Sequence, residues 1–315
     1  MLLLLLLDST ACSAAPVAQI LAATDPALYY SDYNWALRSS GAMAASNPGA
    51  FVKLRFTGSH CALLLDTSSN AAAAITLGWQ LDDGPWQFWT NDAATHPASN
   101  QTRVAVSGSA PLPALPVVAG GPTEHSLRVY LYQSDETKDR WSGDSKSGGG
   151  SYLLVTGVAL DAKAALLPPL GLHPARMIAY GDSITEGINA QLFDFHSGTG
   201  CSSGKVNAAA PKSWSFGVAE ALGAELSNCA YAAQGYQTMN SLGYGGVPPL
   251  VHGGAEGALS AWDKIDATHS RLPAIAQRPP EHVFSAQGFN DQVAIGESSA
   301  ILLPPRLPLV DASIG

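Results

Sequence analysis

The chain has 315 residues, of which 46% are hydrophobic and 13% charged, with a formal net charge of −9. That length suits two domains, and that apolar content is enough to build cores, which excludes global disorder. An acidic balance with no run of Lys and Arg excludes a phosphate-backbone binder and suits a neutral substrate better than a polyanion.

In chain order, Met1 and leucines at 2–7 precede Asp8. The apolar run is short, no basic residue leads it, and Ser13-Ala14-Ala15 offers a cleavage site. Residues 1–16 are therefore a weak match to a secretory signal peptide. The location this predicts is secreted or endomembrane, with the cytoplasm as the alternative. No run of about 18 apolar residues follows, so no transmembrane segment is expected. Asn100-Gln101-Thr102 is a glycosylation sequon, meaningful only in the secreted case.

Residues 17–165 carry the signals of strands. Residues 51–56 alternate apolar and charged side chains, and 61–66 form an apolar run. Residues 75–81 and 86–89 flank Asp82-Asp83-Gly84-Pro85, the pattern of a hairpin. Residues 102–106, 126–132 and 152–160 complete the set. Short strands with turn signals and no amphipathic helix predict a β-sandwich or jelly roll. Residues 166–175, with three prolines and a glycine, read as a linker.

Residues 176–315 change pattern. Strands are expected at 177–180, 226–231 and 282–286. Between them, Trp214, Val218 and Leu222 mark one helical face, with Ser213 as N-cap and Gly223 as stop. Ala258, Ala261, Trp262 and Ile265 mark another. Alternating strands and helices predict a parallel sheet.

Three short motifs follow these strands in order. They are Gly181-Asp182-Ser183-Ile184-Thr185-Glu186-Gly187, then Gly235, then Gly288-Phe289-Asn290-Asp291. Each falls at a carboxyl strand end, the edge where open α/β sheets place their sites. A serine at a strand-to-helix turn can attack a carbonyl. The oxyanion so formed needs donors, which backbone N–H groups and an Asn amide supply.

These ordered blocks resemble the SGNH (GDSL-like) hydrolases, whose hydrolase domain is an α/β/α, flavodoxin-like parallel sheet. The resemblance implies Ser183 as nucleophile and Ser183 N–H, Gly235 N–H and Asn290 as oxyanion hole, with Asp182, Gly288 and Asp291 in support. The stretch 51–66 is similar to the jelly-roll domain that precedes the hydrolase in carbohydrate esterase family 2. The implied activity is hydrolysis of an ester, an O-acetyl group on a small molecule or polysaccharide, with no metal or organic cofactor. The alternative is an inactive carbohydrate-binding protein. No nucleic-acid partner is expected, and the oligomeric state leaves no signal.

The resemblance also implies a base histidine in an Asp-x-x-His block after the third motif. Only 24 residues follow Asp291, and none is histidine. Residues 302–315 carry three prolines, which suit neither a helix interior nor a central strand. A C-terminally truncated hydrolase domain is the expectation. Asp266-Ala267-Thr268-His269 fits Asp-x-x-His but precedes the third motif, so it reads as a surface helix end. His173, His196, His252 and His282 lack metal-ligand spacing. Asp182 and Glu186 read as turn and cap residues. Cys201 and Cys229 suit either a bridge or two buried thiols, and no CxxC pair joins them or Cys12 and Cys61. Trp86, Trp89 and Tyr132 read as core aromatics before they read as a sugar platform.

Overall fold

The computed structural model describes residues 17–58, 61–72, 74–91, 124–136, 138–142, 149–188, 190, 209–236, 260–288 and 290–291. The sequon, the strand expected at 102–106, the leader and residues 292–315 lie outside them, as do Cys12, Cys201, His196 and His252.

The first half folds as strands β1 (Val17–Ala22), β2 (Tyr29–Tyr30), β3 (Ala36–Leu37), β4 (Met43–Ala45), β5 (Phe51–Thr57), β6 (Cys61–Leu65), β7 (Ile75–Leu81), β8 (Gln87–Thr90), β9 (Glu124–Ser134), β10 (Leu153–Asp161) and β11 (Leu166–Leu167). They build two antiparallel sheets. One runs β1-β10-β4-β3 with β6 also on β10; the other runs β11-β5-β9-β7-β8 with β2 also on β5. Their inner faces share one core, to which β5 gives Val52, Leu54 and Phe56, β6 gives Leu63 and Leu65, β9 gives Leu127, Val129 and Leu131, and β10 gives Leu153 and Val155. The period-two pattern of β5 decides this: Lys53 and Arg55 point away while their neighbours are buried. The β7–β8 hairpin closes as its turn residues require. Asp82 and Asp83 both take positive φ, and Gly84 N–H donates to Leu81 C=O at 2.8 Å. Part of the expected linker is itself a strand, since β11 pairs with Arg55 and Phe56.

The second half holds a parallel sheet, with β12 (Ala175–Gly181) between β13 (Ala224–Ala230) and β14 (His282–Ala286). Gly181 is level with Ala230 on one side and Ala286 on the other, so three strands end together. Helix α1 (Ser183–Glu186) follows β12, α2 (Trp214–Ala221) precedes β13, and α3 (Leu272–Gln277) precedes β14. One face of the sheet packs Met177, Ala179 and Leu226 against Ala219 of α2. The other packs Ile178, Tyr180 and Cys229 against Tyr33, with Ala274 and Ile275 of α3 alongside. On β14, Val283 is 50% exposed and Phe284 37%. Among the described residues, no helix is long and apolar enough to cross a membrane.

Two helix expectations need correction. Residues 260–271 form turns, and the helix begins at Leu272, with Pro273 in its first turn. The carbonyls that a helix would use are taken by tertiary donors: Tyr180 OH bonds Trp262 O at 2.9 Å, and the buried Arg271 guanidinium bonds Ala261 O and Lys264 O. Asp266 and His269 therefore sit in a turn rather than at a helix end. In α2, the side chains buried are Ser215 and Ala219, while Leu222 is 41% exposed. Ser213 precedes α2 as expected, but its hydroxyl bonds Ser215 Oγ at 2.9 Å rather than capping a backbone N–H.

Candidate active site

The β12–α1 turn is tight. A Cβ on Gly181 would overlap the Thr185 side chain, so only glycine fits there. Asp182 caps α1, its Oδ1 accepting from Ile184 N–H at 3.0 Å, and Gly187 ends the helix at φ 87°. Asp182 is 3% exposed, and burial raises its carboxyl above the usual range while the Ile184 bond lowers it. Ser183 is thereby held at the first position of α1, half-buried, beside the 64% exposed Ile184. Neither its hydroxyl nor its backbone N–H has a hydrogen-bond partner among the described residues.

The turn after β13 is equally constrained. Ala233 takes φ 61°, an unusual value for a residue with a Cβ. A Cβ on Gly235 would overlap the Asp291 carboxylate, so the third motif closes onto the second. Asp291 Oδ2 accepts from Tyr236 N–H at 2.7 Å. The Gly235 N–H has no acceptor among the described residues.

Asn290, 5% exposed, ties all three together. Its Nδ2 donates to Gln234 O at 3.0 Å and to Asp182 Oδ2 at 3.4 Å. Gln234 is in turn held by Gln287 at 3.2 Å. Gly288 contributes only conformation, at φ 119° with open space around it. Ser183, Gly235 and Asn290 therefore lie on elements that bond one another at one sheet edge.

Beneath this edge lies a pair that motif reading missed. Glu186 and Arg140, both buried, meet at 2.5 Å. Glu186 Oε2 also accepts from Ala232 N–H at 2.6 Å, and Arg140 donates to Ser134 Oγ at 3.0 Å. One carboxylate thus joins the serine's helix, the turn before Gly235 and the loop after β9. Burial raises the Glu186 carboxyl, while Arg140 lowers it. No sequence signal marks Arg140, because its partner is 46 positions away.

Among the described residues, no histidine hydrogen-bonds Ser183. His269 Nδ1 is bound to Asp266 at 2.8 Å, and Asp266 also pairs with Arg38 at 2.9 Å. Burial raises the Asp266 carboxyl, but the hydrogen bonds from His269 and from Thr268 N–H, with the charge of Arg38, outweigh it and hold the group below the usual range. His125 is bound to Asp82 at 2.6 Å. Cys229 is a buried free thiol bonded by Arg271, and Cys61 is likewise free and buried.

No protein-family model matches the sequence, and no curated protein matches it. Solved structures do match in three dimensions. A family two carbohydrate esterase from Cellvibrio japonicus aligns with TM-score 0.61 at 17% identity, over 88% of this chain and 69% of that one. The fold resembles that of the family two carbohydrate esterases. A second such esterase, from Clostridium thermocellum in complex with cellohexaose, aligns with TM-score 0.51 at 18% identity, over 84% and 66%. An acetyl xylan esterase from the rumen bacterium Butyrivibrio proteoclasticus aligns with TM-score 0.52 at 14% identity, over 85% and 62%. The chain thus spans about two thirds of the length of these esterases, and at such identities the likeness is one of fold.

Proposed function

We propose that this chain is an SGNH-type serine esterase that removes O-acetyl groups from carbohydrate. One observation supports the reading: Ser183, Gly235 and Asn290 stand on segments that follow three level strand ends, and among the described residues the Ser183 hydroxyl and the Ser183 and Gly235 N–H groups have no hydrogen-bond partner. Ser183 Oγ attacks the ester carbonyl, and the tetrahedral oxyanion takes hydrogen bonds from Ser183 N–H, Gly235 N–H and Asn290 Nδ2. The Asn290 bond to Asp182 is long at 3.4 Å, so it is the one an oxyanion replaces. The proton that the Ser183 hydroxyl gives up on attack passes through solvent to the sugar alkoxide expelled on collapse, which leaves as the alcohol, and an acetyl-Ser183 remains. Water then attacks that ester, releasing acetate and restoring the serine.

The two antiparallel sheets suit the jelly-roll domain, with 17–165 as one domain and 176–315 as the hydrolase. A polysaccharide ester suits a secreted protein. A second reading, an inactive carbohydrate-binding protein, is favoured by the lack of any described histidine bonded to Ser183. Acetate release from acetylated xylan separates the two. The esterase reading predicts release by the full chain that falls to the buffer rate in Ser183→Ala. Equal release by both proteins, or none by either, rejects it.

A further inference from the structure

The outer face of the β5–β9–β7 sheet does not end in a flat solvent surface. An open cleft of about 420 Å³ separates it from α2 and the start of β13. That size lies within the range of small-ligand sites. None of Asp182, Ser183, Gly235 and Asn290 lines it, and Ala224–Leu226 enter it from the beginning of β13, whose far end leads to Gly235.

Aromatic rings run across this cleft and out of it. Trp86 lies 5.4 Å from Tyr130, and Tyr130 lies 6.1 Å from Phe216 on α2. Trp86 also stacks on Phe88 at 6.2 Å and 14°, and Phe88 is 52% exposed. The Trp86 ring is bedded on Gly78, where a Cβ would come within 3.0 Å of a ring carbon. By contrast, Trp89 is 8% exposed and belongs to the core, while Tyr132, 4% exposed, lies beneath this layer, covered by the rings of Trp86 at 5.7 Å and Phe88 at 4.8 Å. Lys53 pairs with Glu225 at 2.6 Å, Arg128 pairs with Asp83 just outside the lining at 2.6 Å, and Lys212 and Glu220 add one charge of each sign to the walls. Flat apolar rings beside internally neutralised donors and acceptors suit a ligand with C–H faces and hydroxyls and no net charge.

We propose that this cleft is a glycan-binding site for a neutral oligosaccharide, with Trp86, Tyr130 and Phe216 as its stacking surface. The site does not depend on ester hydrolysis at Ser183. The test titrates the full chain with xylohexaose and with cellohexaose, read by tryptophan fluorescence and calorimetry. Saturable binding of at least one is expected. Trp86→Ala weakens it about tenfold or more, the loss of one stacked ring, while Trp86→Phe retains most of it. Phe216→Ala weakens it too, and Ser183→Ala leaves it unchanged. Far-UV circular dichroism checks that each variant keeps the fold. No binding of either sugar, binding indifferent to Trp86→Ala in a folded variant, loss of binding in Ser183→Ala, or tighter binding of an oligogalacturonate overturns the proposal.

Discussion

Replacing Arg140 with Met is expected to lower unfolding stability by about 3–5 kcal/mol, the usual cost of breaking a buried ion pair from one side. The methionine fills much of the space, so the loss is electrostatic rather than a cavity. Glu186 is fully buried, and without Arg140 its carboxylate keeps only the Ala232 N–H as a hydrogen-bond partner among the described residues. The pH dependence identifies the cause. Burial already raises the Glu186 carboxyl, and Arg140 pulls it down. Glu136 nearby is pushed up to about 7, first by burial and then by Glu186, with Arg140 again lowering it. Removing Arg140 raises both further, so the folded variant binds protons more tightly than its unfolded chain. A raised folded pKa contributes stability at low pH that is lost as pH rises through it. The deficit relative to the unmodified protein is therefore larger at about pH 7.5 than at about pH 5.5, by urea unfolding. A deficit independent of pH would assign the effect to packing instead.

The second large effect concerns turnover. Asn290→Ala is expected to lower kcat on an acetate ester by about 10²–10³, the cost of one oxyanion-hole donor. The same side chain also bonds Gln234 O and Asp182, so folding must be read separately. A folded Asn290→Ala variant with KM little changed and kcat reduced is the signature of a contact made in the transition state. A proportional rise in KM with kcat intact would make Asn290 a substrate-binding residue.

Much of this architecture is legible in the residues. The alternation at 51–57, the Asp82-Asp83-Gly84 turn and the three strand-end motifs each carry local chemistry that fixes local structure. What is not legible depends on distant partners. The turns at 260–271 exist because Tyr180 and Arg271 bind their carbonyls, and helical spacing alone carries no trace of that. β1 and the short strands β2, β3 and β4 lack a strong alternating pattern and are made by pairing with longer neighbours. Arg140 sits in an ordinary polar stretch, and only the folded chain brings it to Glu186. Trp86 and Trp89 look alike in sequence, yet Trp86, just before β8, lies against the Tyr130 ring on the outer face, while Trp89 within β8 points into the core.

The central claim is that Ser183 is a nucleophile set among oxyanion donors. Its most direct test is reaction of the folded chain with a fluorophosphonate, followed by intact mass and peptide mapping. The account predicts a single phosphonyl adduct on the 183-containing peptide, absent in Ser183→Ala and absent after unfolding. A folded chain that takes no adduct, or one that takes it equally in Ser183→Ala, would contradict it.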